Sequence, residues 1–135
     1  MNKWQILEHV LSDDQDKVPS KFWEDREFVL QAVHWNGFNF KYASENLKKD
    51  KEFVTKVIKY WGYAFQFADN SIKKDKEFLI QIIKYNSLIL KYADEYLKND
   101  KEFIIKILHA YKPAYEYVID KFKVDKDVQN IYLGS

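Results

Sequence analysis

The chain contains no cysteine, three glycines, two prolines and one methionine in 135 residues. Without cysteine there can be no disulfide, no thiolate metal site and no cysteine nucleophile. No glycine-rich phosphate loop, nucleophile elbow or metal-ligand pair can be found. No apolar run approaches the ~18 residues that a membrane span needs. Met1 to Leu11 does not read as a secretory signal, because Glu8 and His9 interrupt any apolar region. Net charge is also missing. Lys plus Arg total 22 against 21 Asp plus Glu, which argues against a strongly electrostatic partner such as duplex DNA or an anionic membrane. The expectation is a cytoplasmic protein with no membrane partner, with signal-independent export left open.

What the chain has is rings and a period. Apolar residues make up 47% of the sequence and Phe, Trp and Tyr 18%, so short helices can bury much area from few positions. A chain of this length forms one domain that buries roughly two-thirds of its unfolded surface. The phrase Asp50-Lys51-Glu52-Phe53 returns as Asp75-Lys76-Glu77-Phe78 and Asp100-Lys101-Glu102-Phe103. Asp25-Arg26-Glu27-Phe28 is a near copy and Asp125-Lys126-Asp127-Val128 a weaker one, always 25 residues apart. A fixed period of that size marks a repeat architecture.

Residues 2–11 read as a short amphipathic helix carrying Trp4, Ile6, Leu7, Val10 and Leu11 on one side. Residues 12–17 read as a polar loop, and Pro19 suits the first turn of a following helix. Residues 1–24 form a shortened capping repeat. Four repeats follow at 25–49, 50–74, 75–99 and 100–124, and a C-terminal cap at 125–135. In each repeat the aspartate serves as an N-cap, and a Glu two residues on favours the positive end of the helix dipole. Apolar pairs such as Phe53-Val54 and Val57-Ile58 make a wide helical stripe that no strand would show. Gly37 and Gly62 are expected to close the first helix of their repeats in a left-handed conformation; Ser87 and Lys112 take that place elsewhere. A second helix of about the same length then carries residues such as Ala64, Phe65, Phe67, Ala68 and Ile72. Helices this short are marginal alone and need packing on their neighbours. Small Ala43, Ala68 and Ala93 mark a close approach of two helices. Val128, Ile131, Tyr132 and Leu133 are placed to cover the final repeat. The fold expected is all-α: a solenoid-like stack of short antiparallel helix pairs.

The Asp-Lys-Glu-Phe phrase, the paired aliphatics, Gly62-Tyr63-Ala64-Phe65 and the run from Leu90 to Asp100 resemble the tandem repeat family catalogued as domain of unknown function 4116. The resemblance covers about residues 18–128. It implies a bacterial, protist or viral source and no particular activity. Repeat four departs from the pattern, with Lys112-Pro113 at the turn and Val118-Ile119 where the others carry Ala and then Asp or Ser.

Chemistry-bearing residues follow the repeat rather than break it. His34 and His109 share one repeat position three repeats apart, about 30 Å at roughly 10 Å per helix diameter, so no metal bridges them. The opening aspartates are explained as caps, and Glu52–Lys56 and Glu102–Lys106 as helical ion pairs. No cofactor, metal or catalytic set is expected. The candidate binding residues are rings flanking the turn: Trp35, Phe38 and Tyr42, then Tyr60, Tyr63 and Phe67, then Tyr85 and Tyr92. Aligned as a ribbon they would contact a protein, or stacked bases with Lys48, Lys49, Lys59, Lys73, Lys74, Lys84 and Lys98 tracking phosphates; packed inward, they would only fill gaps between repeats. A second row, Leu30, Ile80 and Ile105 with Thr55 interrupting, either packs on the next repeat or forms an exposed patch. The leading expectation is a non-catalytic protein-binding module, an inhibitor or immunity-type protein, and the alternative is single-stranded nucleic-acid binding.

Overall fold

Each aspartate that opens a repeat caps an α-helix in the computed structural model, which describes residues 2–134. Asp25, Asp50, Asp75 and Asp100 accept hydrogen bonds from the backbone N–H groups of Phe28, Phe53, Phe78 and Phe103, at 2.9–3.1 Å. Asp125 does the same for Asp127 and Val128. In chain order the α-helices are α1 (Lys3–Leu11), α2 (Arg26–Trp35), α3 (Glu45–Lys48), α4 (Lys51–Tyr60), α5 (Asn70–Lys73), α6 (Lys76–Ile82), α7 (Leu88–Tyr92), α8 (Glu95–Lys98), α9 (Lys101–Ala110), α10 (Asp120–Lys123) and α11 (Lys126–Tyr132). Among the described residues there is no strand. Residues 1 and 135, at the outer ends of the two expected caps, lie outside the described residues.

The second arm of each repeat is not one helix. Gly37–Tyr42 and Gly62–Phe67 wind as 3₁₀ helix, and α3 and α5 follow after a break. The break is two extended residues, Ala43-Ser44 and Ala68-Asp69, with ψ near 150°. The cause is a second capping signal. Ser44, Asp69 and Asp94 turn their side chains onto the N–H groups of Leu47, Ser71 and Tyr96 and so restart the helix. Repeat four has Ile119 there and starts α10 with no side-chain cap. Its first part, Lys112–Tyr117, carries Pro113 in the first turn of a 3₁₀ helix.

The glycines do something other than expected. Neither Gly37 nor Gly62 has positive φ; that conformation belongs to Asp13 and Gly134. The first helix instead ends on an extended residue, Asn36, Trp61, Asn86 or Tyr111, with φ between −137° and −168°. Any L-residue can adopt that backbone, which is why Ser87 and Lys112 are acceptable after it. Gly37 is needed for space. A Cβ there would stand 2.8 Å from Tyr63 Oη and 3.0 Å from Trp61 Cβ.

Burial repeats with the sequence. The residue pairs at 28–29, 53–54, 78–79 and 103–104 are buried, as are those at 32–33, 57–58, 82–83 and 107–108. Ala43, Ala68, Ala93 and Val118 are buried at one shared position, and Leu47, Ile72, Leu97 and Phe122 at another. Each large side chain so buried contributes roughly 1.5–3 kcal/mol. Leu30, Thr55, Ile80 and Ile105 are half-buried; Ile80 lines a recess of about 60 Å³ with residues of α6 and α9.

The chain divides into two compact units, Met1–Ala68 and Asp69–Ser135. In the first, α1 packs on α2 and α2 on α4. A loop containing the 3₁₀ turn Gln15–Lys17 follows α1, and Gln15 Nε2 donates to Asn39 Oδ1 at 3.0 Å. Asn39 is a buried polar residue where other repeats carry Ala or Ile; its amide also donates to the Ala32 carbonyl at 2.9 Å. In the second unit α6 packs on α9 and α9 on α11. Val128 is buried, Ile131 half-buried, and Tyr132 stacks on Tyr115 at 3.7 Å. Leu133 stays exposed and covers nothing.

Consecutive repeats are also joined by polar links. The cation after a capping aspartate reaches the aspartate of the next repeat: Arg26 to Asp50, Lys76 to Asp100 at 3.0 Å and Lys101 to Asp125 at 2.9 Å. Lys3 serves Asp25 in the same way at 3.0 Å. Backbone bonds run from Ser44 N–H to the Trp23 carbonyl and from Asp94 N–H to the Lys73 carbonyl, at 2.9 and 3.1 Å.

Candidate functional site

The candidate rings of the first unit form two groups rather than one ribbon. Phe38, on the first turn after α2, lies 4.9 Å from Tyr63 and 6.0 Å from Phe67 between ring centroids. Tyr63 also meets Trp61 at 5.6 Å, and its hydroxyl accepts the Gly37 N–H at 3.2 Å. That bond fixes the two turns against each other, and it is available because Gly37 has no side chain. Tyr60 sits over His34 at 4.9 Å. Trp35 follows His34 on the last turn of α2. Tyr42 belongs elsewhere: it packs on Trp23 at 5.4 Å, with Lys41 over its ring.

Exposure separates packing from presentation. Trp35, Phe38 and Tyr60 are 57%, 50% and 65% exposed, while Tyr63 and Phe67, which pack on Phe38, are half-buried. The first unit thus exposes Phe38 on Tyr63 and Phe67, Tyr60 on His34, and Trp35 at the end of α2. In the second unit Tyr85 is at the margin of exposure with Lys84 above its ring. Tyr92 is half-buried, and Lys91 lies 5.6 Å from it and 5.9 Å from Tyr117. Burial pushes the Tyr117 hydroxyl above its ordinary pKa, helped by Glu116.

Several lysines considered for phosphate contacts have structural work. Lys48 Nζ donates to the Lys41 carbonyl and Lys98 Nζ to the Lys91 carbonyl, both at 2.7 Å, and Lys98 also pairs with Glu95 at 2.9 Å. Lys123 makes the equivalent bond to the Glu116 carbonyl at 3.4 Å. Each of these lysines satisfies a carbonyl near the end of the helical turn that precedes it. The regular placement of lysine was visible in the sequence, but nothing there gave it this role.

The carboxylates are occupied as caps and links. The Phe28 and Phe53 N–H groups hold Asp25 and Asp50 below the ordinary carboxylate range, with Lys3 and Arg26 adding to it. For Asp100 and Asp125 the cations come first, Lys76 and Lys101. Glu52–Lys56 and Glu102–Lys106 pair along their helices at 3.8 and 3.6 Å. Among the described residues no group of three or more His, Asp or Glu side chains is disposed to hold a metal ion. A hollow of about 330 Å³ in the second unit is lined by Leu108, His109, Lys112, Asn130, Ile131 and Gly134, with no carboxylate side chain among them. Among the described residues no helix is long and apolar enough to cross a membrane.

Three overlapping stretches, residues 25–73, 50–98 and 75–123, match the family described as Domain of unknown function (DUF4116). Each match spans about two repeats and starts at a capping aspartate. No curated protein matches the chain. No solved structure matches it. With matches running from Asp25 to Lys123, the chain belongs to the DUF4116 family of tandem helical repeats.

Proposed function

We propose that this chain is a non-catalytic protein-binding module that works in the cytoplasm of a bacterial or virus-infected cell. It acts by occupying a surface of a larger protein, as small inhibitor and immunity proteins do. The observation that supports this is the exposure of Trp35, Phe38 and Tyr60 at the ends of α2 and α4 and on the turn between them. Single exposed rings are ordinary, but three of them within one unit have the composition of a binding hot spot. Large aromatic side chains also lose little rotamer freedom when they bind.

The nucleic-acid reading has less support. Stacked bases also need cations nearby to track their phosphates. Lys48 and Lys98 are held on backbone carbonyls.

The test is recovery of a partner from extract of the native cell by wild-type chain and by the Trp35→Ala, Tyr60→Ala double variant. Both side chains are exposed, so thermal unfolding should be unchanged within about 0.5 kcal/mol. A partner retained by the wild type and reduced at least tenfold with the variant is the expected result. Equal recovery by both would show that these rings are not the contact.

A further inference from the structure

We propose that Asn36-Gly37 is a site of spontaneous deamidation, and that the Tyr63 hydroxyl holds the reaction back. The site belongs to the turn after α2 and does not depend on the protein-binding reading.

The fold itself creates the labile pair. No other asparagine in the sequence is followed by glycine. A Cβ on residue 37 would stand 2.8 Å from Tyr63 Oη and 2.9 Å from its Cζ, so residue 37 cannot carry the side chain that would shield its backbone nitrogen. Residue 36 is the extended hinge, and its side chain accepts the Phe38 N–H at 2.9 Å. Glycine thus follows asparagine for two separate reasons, space for a ring and a capped turn. The other repeats do not combine the two residues: Trp61 precedes Gly62, Ser87 follows Asn86, and repeat four has Tyr111-Lys112.

The reaction consumes only water. The Gly37 backbone nitrogen gives up its proton and attacks Asn36 Cγ. Negative charge develops on Oδ1, where the Phe38 N–H already donates and serves as an oxyanion donor. The Cγ–Nδ2 bond breaks and ammonia leaves with that proton, closing a cyclic imide. Water then opens the imide at either carbonyl, giving aspartate or isoaspartate. The sum is amide plus water to carboxylate plus ammonium, with no oxidant or reductant. The product is ionised at neutral pH. It stands between exposed Trp35 and Phe38 and lowers the formal net charge of +1 by one unit.

Tyr63 acts on the nucleophile. Its hydroxyl accepts the Gly37 N–H at 3.2 Å, and attack requires that nitrogen to lose this proton and turn its lone pair towards Cγ. Gly37 is buried, which keeps hydroxide from the N–H, and Tyr63 is half-buried against Phe38 and Trp61. A nitrogen fixed to a packed ring is not free to adopt the near-attack geometry that an intramolecular step exploits. The ring that makes glycine necessary therefore also restrains it.

The test follows the full chain as it ages in mildly alkaline buffer, with the aspartate and isoaspartate peptides resolved by chromatography and mass spectrometry. Wild type and Tyr63→Phe are compared, each folded and in guanidinium. In guanidinium both chains should react fastest at Asn36. Folding should slow Asn36 of the wild type at least tenfold. In folded Tyr63→Phe, Asn36 should react at least threefold faster than in folded wild type. Asn86, whose side chain makes the same bond to the Leu88 N–H, should keep its rate. It is the check on the fold, because a general loosening would speed both sites. Asn36 reacting no faster than Asn86 in guanidinium, equal rates at Asn36 in the two folded chains, or a rise shared by Asn86 would overturn the proposal.

Discussion

The same turn is built in two ways by one repeat of each compact unit. In the first, Asn36 is followed by Gly37 and Phe38, and the arm winds as 3₁₀ helix from Gly37 to Tyr42. In the second, Asn86 is followed by Ser87 and Leu88, and the arm is the α-helix α7. Both asparagines are extended, and both accept the N–H two residues on at 2.9 Å. The hinge is thus common to both, but the winding of the next residues is not. Where Tyr63 must put its hydroxyl on a backbone N–H, the next residue is glycine. Where the arm carries Leu88, Ile89 and Leu90, serine is enough. The difference teaches that the repeat keeps its capping chemistry and its buried positions but not the winding of its second arm.

The largest effects should come from the cores of the two units. Phe65 and Leu90 hold one repeat position, fully and almost fully buried. Phe65→Ala should cost about 3–5 kcal/mol and Leu90→Ala about 2–5 kcal/mol, by the transfer and cavity terms together. Urea unfolding of both variants measures this. A cost below about 1 kcal/mol for Phe65→Ala would mean that the first unit does not rest on its buried rings. The turn residue itself should have the next largest effect. Gly37→Ala drives a methyl group into Tyr63 and Trp61 and should cost about 1–3 kcal/mol through overpacking. Ser87→Gly meets no such demand and should cost less than about 1 kcal/mol, mostly as chain entropy. Similar losses from both would show that the turn, not the space beneath Tyr63, is what glycine serves.

Much of the fold was legible in the sequence because the 25-residue phrase ties one chemistry to one position. Asp at the phrase's start reads as a cap, and the apolar pairs give the buried face directly. The break in the second arm was legible in principle. Ala43-Ser44, Ala68-Asp69 and Ala93-Asp94 each set a capping residue before a short helical run, but the apolar periodicity continues through the break and hides it. The role of Gly37 could not be read, since it depends on Tyr63, 26 residues away. The same holds for the lysine bonds to the second arms and for the links between capping aspartates, which need the spacing of consecutive repeats. Of the candidate rings, the period located every position, but exposure was set by contacts across repeats. Trp35, Phe38 and Tyr60 are exposed, Tyr63 and Phe67 support Phe38, and Tyr42 turns away to Trp23.

The smallest effect should come from the links between repeats, and it should differ between the units. Asp50 is held low first by the Phe53 N–H and then by Arg26, whereas Asp100 is held low first by Lys76 and then by the Phe103 N–H. Asparagine caps a helix about as well as aspartate, so Asp50→Asn and Asp100→Asn remove charge and leave the cap. Both links face solvent on the cation side, with Arg26 and Lys76 each more than half exposed. Each should therefore be worth little. The pH dependence has a definite sign. A carboxylate whose folded pKa is depressed stabilises the fold above its unfolded pKa, near 3.9, and that contribution is lost as pH falls through the lower folded value. Wild-type stability should be flat from about pH 5 to 8 and should decline below about pH 4. Lys76 is raised by the same pair, so its contribution is lost as pH rises through and above about 10.4. Asp100→Asn should flatten both limbs, and its effect should shrink in high salt. Asp50→Asn should flatten the acid limb with less salt dependence, because a backbone N–H leads there. Chemical unfolding at several pH values, with and without salt, measures the contrast. Identical salt dependence in the two variants would show that the two links are equivalent, whatever leads at each aspartate.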